Sequence, residues 1–252
     1  MMIVKSRTQA ERSTCRYTTG DGLETTVTSY FGVTAVDGGP ATNPGPDVLY
    51  PVAFEVDQDP DSRAEPHFHI ANQFQVFVKG DGLFGKHPVR TFCVHYAGAY
   101  TPYGPICAGP NGIGYVTLRN GWDLGPHYLP AERAELKAGN RKPRAALSDP
   151  IDVAAGDALA TLPASACRSI LPLAHDGLGG WRYRIPPGGT VVGPDPAAGR
   201  GQYWLVLAGD DVSAASALPA LSCVFLSPDE PARVTTAGPR GLDVLALQFP
   251  RA

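Results

Sequence analysis

The chain has 252 residues, a formal net charge of −3 and a pI near 6.0. That length buries a full core in one large domain or two ordinary ones, and the mild acidity gives no electrostatic basis for nucleic-acid binding. Hydrophobic residues at 43% against 18% charged exclude a disordered chain, while 29 glycines and 25 prolines point to many turns between short strands.

Residues 1–20 are polar without a clear period and read as an arm or first strand. Thr25–Ala35 is rich in β-branched and aromatic residues and predicts a strand, and Asp37–Asp47, rich in Gly, Pro and Asn, a loop. Val52, Phe54 and Val56 alternate with Ala53, Glu55 and Asp57, as a half-buried strand does; Glu55, Asp57 and Glu65 read as loop or rim charges. Pro66–Gly80 (PHFHIANQFQVFVKG) reads as strand, bend, strand, with a turn at Gly80-Asp81-Gly82. His67 and His69 are two apart, so both imidazoles leave one face of an extended strand. Phe92–Tyr96 and Gly114–Arg119 predict strands flanking the turn-rich run Tyr100–Cys107. Ala131–Ala138, closed by Gly139, predicts a helix, and residues 139–165 a linker that includes the basic run Arg141-Lys142-Pro143-Arg144.

Five cysteines without a CxxC pair argue against a disulfide framework, and the first residues lack the apolar run of a signal peptide. A reducing cytoplasm is the expected location, and no run reaches the roughly 18 apolar residues of a membrane span.

An internal repeat organises the rest. Gln73–Asp81 (QFQVFVKGD) returns as Gln202–Asp210 (QYWLVLAGD), and 202 − 73 = 129. Ala108–Leu118 returns as Ala237–Leu247 at the same offset, Pro102 falls on Pro231, and Val52, Phe54 and Val56 fall on Trp181, Tyr183 and Ile185. One unbroken offset across separate blocks predicts a duplicated all-β domain. His67 and His69 fall on Pro196 and Ala198, so the second copy lacks the histidines. With Gln73 and Gln202 facing inward, Phe74, Val76 and Val78, and likewise Tyr203, Leu205 and Leu207, face outward as apolar faces that need cover. The two copies are expected to pack there, against each other or across a homodimer.

The pattern resembles the cupin superfamily, and the duplication resembles a bicupin. The first cupin motif runs Gly, five residues, His-x-His, three or four residues, Glu, six residues, Gly. Here His67-Phe68-His69 matches, Gln73 stands where Glu is usual, Gly80 matches, and Asp61 stands at the leading Gly. The second motif, Pro-x-Gly-x-x-His-x-x-x-Asn, matches Pro102–Asn111 except for Cys107 in place of His. The resemblance covers roughly residues 45–250. It implies tandem double-stranded β-helix (cupin or jelly-roll) barrels, with an arm and first strand over 1–44, an N-terminal barrel over 45–130, a helix and linker over 131–168 and a degenerate barrel over 169–252.

It also implies one divalent metal, Fe(II) foremost with Zn, Mn, Ni or Cu as alternatives, held by His67, His69, Gln73 and Cys107. Without a metal, the same histidines are barrel residues bonded to neighbours, Gln73 is scaffold like Gln202, and Cys107 is a small apolar side chain. His95 competes with Cys107 as a third ligand. Gln75, His95, Tyr96, Tyr100, Tyr103 and Arg119 are the expected substrate contacts; the tyrosines could equally be core, and Arg119 a surface ion pair. His127 and Tyr128 lie where they could cap the barrel mouth. Two functions follow: a metal-dependent dioxygenase, isomerase or decarboxylase acting on a small organic molecule, anionic ones included, or a non-catalytic bicupin that binds or senses a small ligand.

Overall fold

The computed structural model describes residues 1–33, 39, 42–45, 47–153 and 156–251. The predicted strand Thr25–Ala35 is observed as Glu24–Phe31; its last residues, 34–35, and part of the predicted loop 37–47 lie outside the described residues. The chain divides into two compact units, Glu11–Ile151 and Met1–Ala10 together with Asp152–Ala252. Residues 1–10 therefore leave the expected 1–44 arm. Their strand β1 (Met2–Lys5) pairs antiparallel with β18 (Cys223–Leu226), a partner no local pattern could have announced.

The unit Glu11–Ile151 holds strands β2 (Thr14–Thr18), β3 (Glu24–Phe31), β4 (Val52–Gln58), β5 (Arg63–Ala64), β6 (His67–Phe68), β7 (Gln73–Phe84), β8 (His87–Arg90), β9 (Val94–Ala97), β10 (Ile106–Arg119), β11 (His127–Tyr128) and β12 (Ala145–Leu147). Nine form one sheet in the order β12-β9-β7-β10-β4-β3-β2, with β5 on β10 and β8 on β7, while β6 and β11 pair separately. Along β7 the register sets Gln73 opposite Arg119, Gln75 opposite Thr117 and Phe77 opposite Tyr115. Phe77 joins Phe84, Ile106, Ile113 and Tyr115 in the core of this unit. The alternation that puts Phe77 there puts Gln73 and Gln75 on the same face. Burying a side chain the size of Phe77 stabilises the fold by about 1.5–3 kcal/mol.

The other unit holds β1 and β13 (Ala166–Leu171), β14 (Gly179–Ile185), β15 (Thr190–Val192), β16 (Gln202–Asp211), β17 (Leu218–Pro219), β18 and β19 (Val234–Gln248). Its order, β1-β18-β16-β19-β14-β13, contains the run β18-β16-β19-β14, which matches β9-β7-β10-β4 strand for strand at the 129-residue offset. The fold is all-β, in antiparallel sheets of the cupin or jelly-roll kind.

Gly80-Asp81-Gly82 is not a turn. Strand β7 runs through it to Phe84 and reverses at Gly85. The glycine bends the strand instead: Gly80 has φ 66°, and a Cβ there would lie 2.0 Å from the Gly112 carbonyl oxygen. The second unit repeats the device, with Gly209 at φ 77° and 1.9 Å from the Gly241 oxygen. Only glycine combines that φ with so close a backbone approach. Asp61, at the place of the first motif's leading Gly, is left-handed at φ 57°, which Asp tolerates better than most residues.

Three further expectations change. The helix spans Arg133–Ala138, and Gly139 stays right-handed at φ −60° while Asn140 takes φ 44°. The linker contains β12, which pairs with β9, and a short helix, Gly156–Ala160. Glu55 is buried on β4 rather than a rim charge. The six outward-facing residues, Phe74, Val76, Val78, Tyr203, Leu205 and Leu207, are all buried. Among the described residues no helix is long and apolar enough to cross a membrane.

Candidate functional site

The short strand β6 and the turn-rich run that follows β9 bring the site together. His67 and Tyr103 exchange backbone hydrogen bonds of 3.1 and 3.0 Å, which carries the Tyr103 side chain inward from a region with no strand pattern. His67 and His69 do share a face, their ring centroids 5.3 Å apart and edge to face, while Phe68 turns the other way and stacks on His127 and Tyr100.

The hydrogen-bond directions follow from which groups can donate. The Glu65 carbonyl oxygen, 2.6 Å from His67 Nδ1, only accepts, so Nδ1 carries the proton. The Nε2 lone pair of His67 then accepts from the Tyr103 hydroxyl at 3.0 Å. That hydroxyl oxygen in turn accepts from Gln73 Nε2, and Gln73 Oε1 accepts from Arg119 Nε at 3.2 Å. His69 Nδ1 lies 2.7 Å from Asp123 Oδ2 and donates to it, while Arg119 Nη2 lies 3.1 Å from both ring nitrogens and so packs over the face of the imidazole. Arg119 Nη1 completes the fan at 2.8 Å from Asp123 Oδ2. Asp123 also accepts from the backbone N–H groups of Ile70 and Gly125.

Electrostatics agree with this assignment. Burial, aided by His69 and Arg119, pushes the pKa of His67 down to about 3. Burial and Arg119 also lower that of His69, against the opposing pull of Asp123. Contact between His69 and Asp123 is therefore a hydrogen bond from a neutral imidazole, not an ion pair. Burial alone would raise the Asp123 pKa, but Arg119 and His69 outweigh it and hold the carboxyl far below the usual range. Burial raises the Tyr103 hydroxyl and brings that of Tyr115 up to about 12. His95, whose Nδ1 lies 3.1 Å from Gln75 Oε1, is brought down to about 3 by burial.

Several of these polar groups line a cavity of about 400 Å³. His67, His69, Gln75, Tyr103, Thr117 and Arg119 contribute to its lining. Leu23, Val27, Tyr30, Phe31, Val52, Phe54 and Val56, from β3, β4 and the connection before β3, give most of its apolar surface, and Asp21, Thr25, Ser29 and Tyr128 line it as well. The whole lining lies within Glu11–Ile151.

Of the expected substrate contacts, Gln75, Tyr103 and Arg119 line the cavity, and His95 packs behind Tyr103 and Phe84. Tyr96 does not reach it: one residue from His95 on β9, it points to the opposite face, against Phe74 and the Asn72 side chain. Tyr100 has φ 59° and stacks on Phe68, outside the lining. Cys107 is also displaced. Its neighbours Ile106 and Ala108 take the core side of β10, and Cys107 faces Arg63 instead. Arg119 is no surface ion pair, at 4% exposure. Sequence reasoning missed Asp123. Its spacing of four from Arg119 was the available signal, but the intervening Asn120-Gly121-Trp122 gave no helix to make that spacing meaningful.

The expected metal centre meets the same geometry. The donors converge, yet the Nε2 lone pair of His67 is taken by Tyr103 and the Gln73 oxygen by Arg119, whose Nη2 also lies 3.1 Å from both ring nitrogens of His69. A guanidinium cation stands among them. Among the described residues no group of three His, Cys, Asp or Glu could hold a metal ion, so the residues as arranged do not fit one.

The second unit shows what the same positions become without histidines. Gln202 and Gln248, the counterparts of Gln73 and Arg119, hydrogen-bond directly at 3.0 Å, and Trp204 Nε1 donates to Gln202 Oε1. Trp204 fills the interior with Tyr183, Val206 and Leu226.

No family model matches the chain, and no curated protein does. Solved structures do. The bacterial pirin YhhW from Escherichia coli, in complex with nickel(II), is similar at TM-score 0.59 and 12% identity over 100% of both chains. A putative dioxygenase from Nostoc punctiforme is similar at 0.57 and 12%, over 100% of this chain and 79% of that one. A W96Y oxalate decarboxylase from Bacillus subtilis is similar at 0.54 and 10%, over 100% of this chain and 78% of that one. At these identities the likeness is one of fold, and the fold is that of the cupins.

Proposed function

We propose that the unit Glu11–Ile151 binds a small, mainly apolar organic molecule in its cavity, without a metal ion, the ligand's polar end turned to His67, Tyr103 and Gln75. The observation that carries this reading is a mainly apolar cavity whose polar lining holds His67 with its lone pair already used by Tyr103 and Arg119 already paired with Asp123. The cavity size suits a compact ligand. Charge favours a neutral one: Arg119 is already paired with Asp123 and the histidines are uncharged, so no unneutralised cation awaits a carboxylate. A thermal-shift screen of neutral and anionic small molecules tests this. Neutral apolar compounds are expected to raise Tm, and Val27→Trp, which fills the cavity, should abolish the rise. Preference for carboxylates, or a rise unaffected by Val27→Trp, would overturn the reading.

A second reading, a metal-dependent bicupin enzyme of dioxygenase, isomerase or decarboxylase type, is favoured by the paired histidines and by similarity to a nickel-bound pirin and a putative dioxygenase. It requires Arg119 and Tyr103 to withdraw from the histidines. Elemental analysis of protein purified without added metal separates the two. Stoichiometric metal that is lost in His67→Ala/His69→Ala would favour the enzyme.

A further inference from the structure

We infer that the ligand of this cavity is a neutral carbonyl compound, its oxygen held between the side-chain amide of Gln75 and the hydroxyl of Thr117. The inference rests on the ligand-binding reading above and names the ligand's polar group. The groups around His67 are engaged: His67 with Tyr103, and both His69 and Arg119 with Asp123. Gln75 and Thr117 differ. Gln75 Oε1 accepts from His95 Nδ1 at 3.1 Å, which orients the amide and leaves the two hydrogens of Nε2 for another acceptor. Among the described residues neither Gln75 Nε2 nor the Thr117 hydroxyl has a hydrogen-bond partner, and neither is sealed away as Gln58 Oε1 is. Both residues are at 3% exposure or less and both line the cavity, so the two groups open into it. They stand directly opposite each other on β7 and β10, where same-face Cβ atoms lie about 4.5–5.5 Å apart. Gln73 and Arg119, the next pair along that face, bond each other at 3.2 Å; Gln75 and Thr117 do not. A carbonyl oxygen has two lone pairs and accepts from both donors at once. A carboxylate would find no unneutralised cation, and the Asp21 carboxylate already lines the same space.

The internal repeat supplies an independent comparison. At the offset of 129, Gln75 and Thr117 fall on Trp204 and Ala246, which again stand opposite each other, on β16 and β19. There the indole fills the interior, and both residues belong to the apolar core of the second unit. The polar pair thus occurs where a cavity lies in front of it, and an apolar pair where a side chain takes the space. The scaffold itself does not require polar groups at this place. Burying an amide and a hydroxyl without partners is unfavourable, and a ligand oxygen between them removes that penalty.

The test is a matched series, acetophenone, 1-phenylethanol, ethylbenzene and benzoate, titrated against the protein by calorimetry. Acetophenone is expected to bind about tenfold more tightly than ethylbenzene, as two hydrogen bonds of ordinary net strength allow, with 1-phenylethanol weaker than acetophenone and benzoate weakest. The ratio of acetophenone to ethylbenzene affinity should fall from about ten to about three in either Thr117→Val or Gln75→Leu. The infrared carbonyl band of bound acetophenone should lie at lower frequency in wild-type protein than in Thr117→Val, a shift that a change of cavity shape would not produce. Gln75→Leu leaves His95 without its acceptor; should that variant not fold, Thr117→Val, which breaks no hydrogen bond among the described residues, decides. If acetophenone and ethylbenzene bind equally and Val27→Trp abolishes both, the inference fails while the ligand-binding reading stands. A ratio unchanged in Thr117→Val also overturns it, as does a preference for 1-phenylethanol, which would mean that the amide presents its oxygen. If benzoate binds most tightly, or none of the four binds, both fail.

Discussion

Arg119 Nη1 lies 2.8 Å from Asp123 Oδ2, with both side chains at 5% exposure or less. This buried pair, four residues apart but outside any helix, ties the end of β10 to the segment that returns toward β11. Asp123 then holds His69 and two backbone N–H groups. Removing one partner of a buried pair leaves an uncompensated charge, which costs far more than the pair's own net stabilisation. Asp123→Ala should therefore lower unfolding stability by about 3–5 kcal/mol. Urea denaturation measures it, and a loss below about 1 kcal/mol would mean water reaches Arg119 in the folded state.

Stability should rise with pH from acid to neutral. Below the ordinary histidine value of 6.5 the unfolded chain binds protons that folded His67, His69 and His95 refuse. Their stabilising contribution is full above about 6.5 and is lost as pH falls toward about 3. Each adds a slope of up to about 1.4 kcal/mol per pH unit within that window. Asp123, depressed rather than raised, acts in the same direction lower down, its contribution disappearing only below about pH 3.9. Urea midpoints at pH 7, 6 and 5 should fall in that order, and His95→Gln should flatten the profile by one histidine's share. A profile level between pH 7 and 5 would contradict neutral buried histidines.

Tyr103→Phe removes a hydroxyl that donates to His67 Nε2 and accepts from Gln73 Nε2. Both partners stay buried, so the change should cost about 1–3 kcal/mol for each group left unsatisfied. Tyr96→Phe is the control: its hydroxyl makes a longer bond, 3.3 Å to Asn72 Oδ1, away from the cavity. Equal losses in the two variants would argue against a connected network around His67.

The paired bends give a test of the repeat. Gly80→Ala and Gly209→Ala each place a Cβ within 2.0 Å of a carbonyl oxygen at a positive φ. Each should destabilise by at least about 1–3 kcal/mol. Calorimetry would show whether the two losses are alike, as equivalent bends require; a neutral effect at either position would mean that bend relaxes freely.

Much of the fold was legible because it is local. The two-residue alternation of Gln73, Gln75 and Phe77 against Phe74 and Val76 set which side chains share a face, since successive strand residues point to opposite sides. A single offset of 129 then carried that pattern to Gln202–Asp210, and the sheet orders agree with it. The pairing of His67 with His69 on one face was legible for the same reason. Gly80-Asp81-Gly82 reads as a turn, whereas the strand only bends there: a positive φ serves a bulge as well as a turn, and only the partner strand decides which.

What surrounds the histidines was decided by tertiary structure. Tyr103 comes from a turn-rich run, Arg119 from the far end of the next long strand, and Asp123 from an irregular segment beyond it; none is near His67 in sequence. Composition and spacing identify groups able to bind a metal, but whether their lone pairs are available depends on which donors the fold brings within about 3 Å. Here the sequence determined an all-β scaffold whose strand pattern recurs at an offset of 129, with the His67/His69 pair in its first copy alone. Long-range packing placed a guanidinium and a phenol hydroxyl against them, because buried imidazoles in a region of low dielectric must be satisfied by whatever donors share the interior.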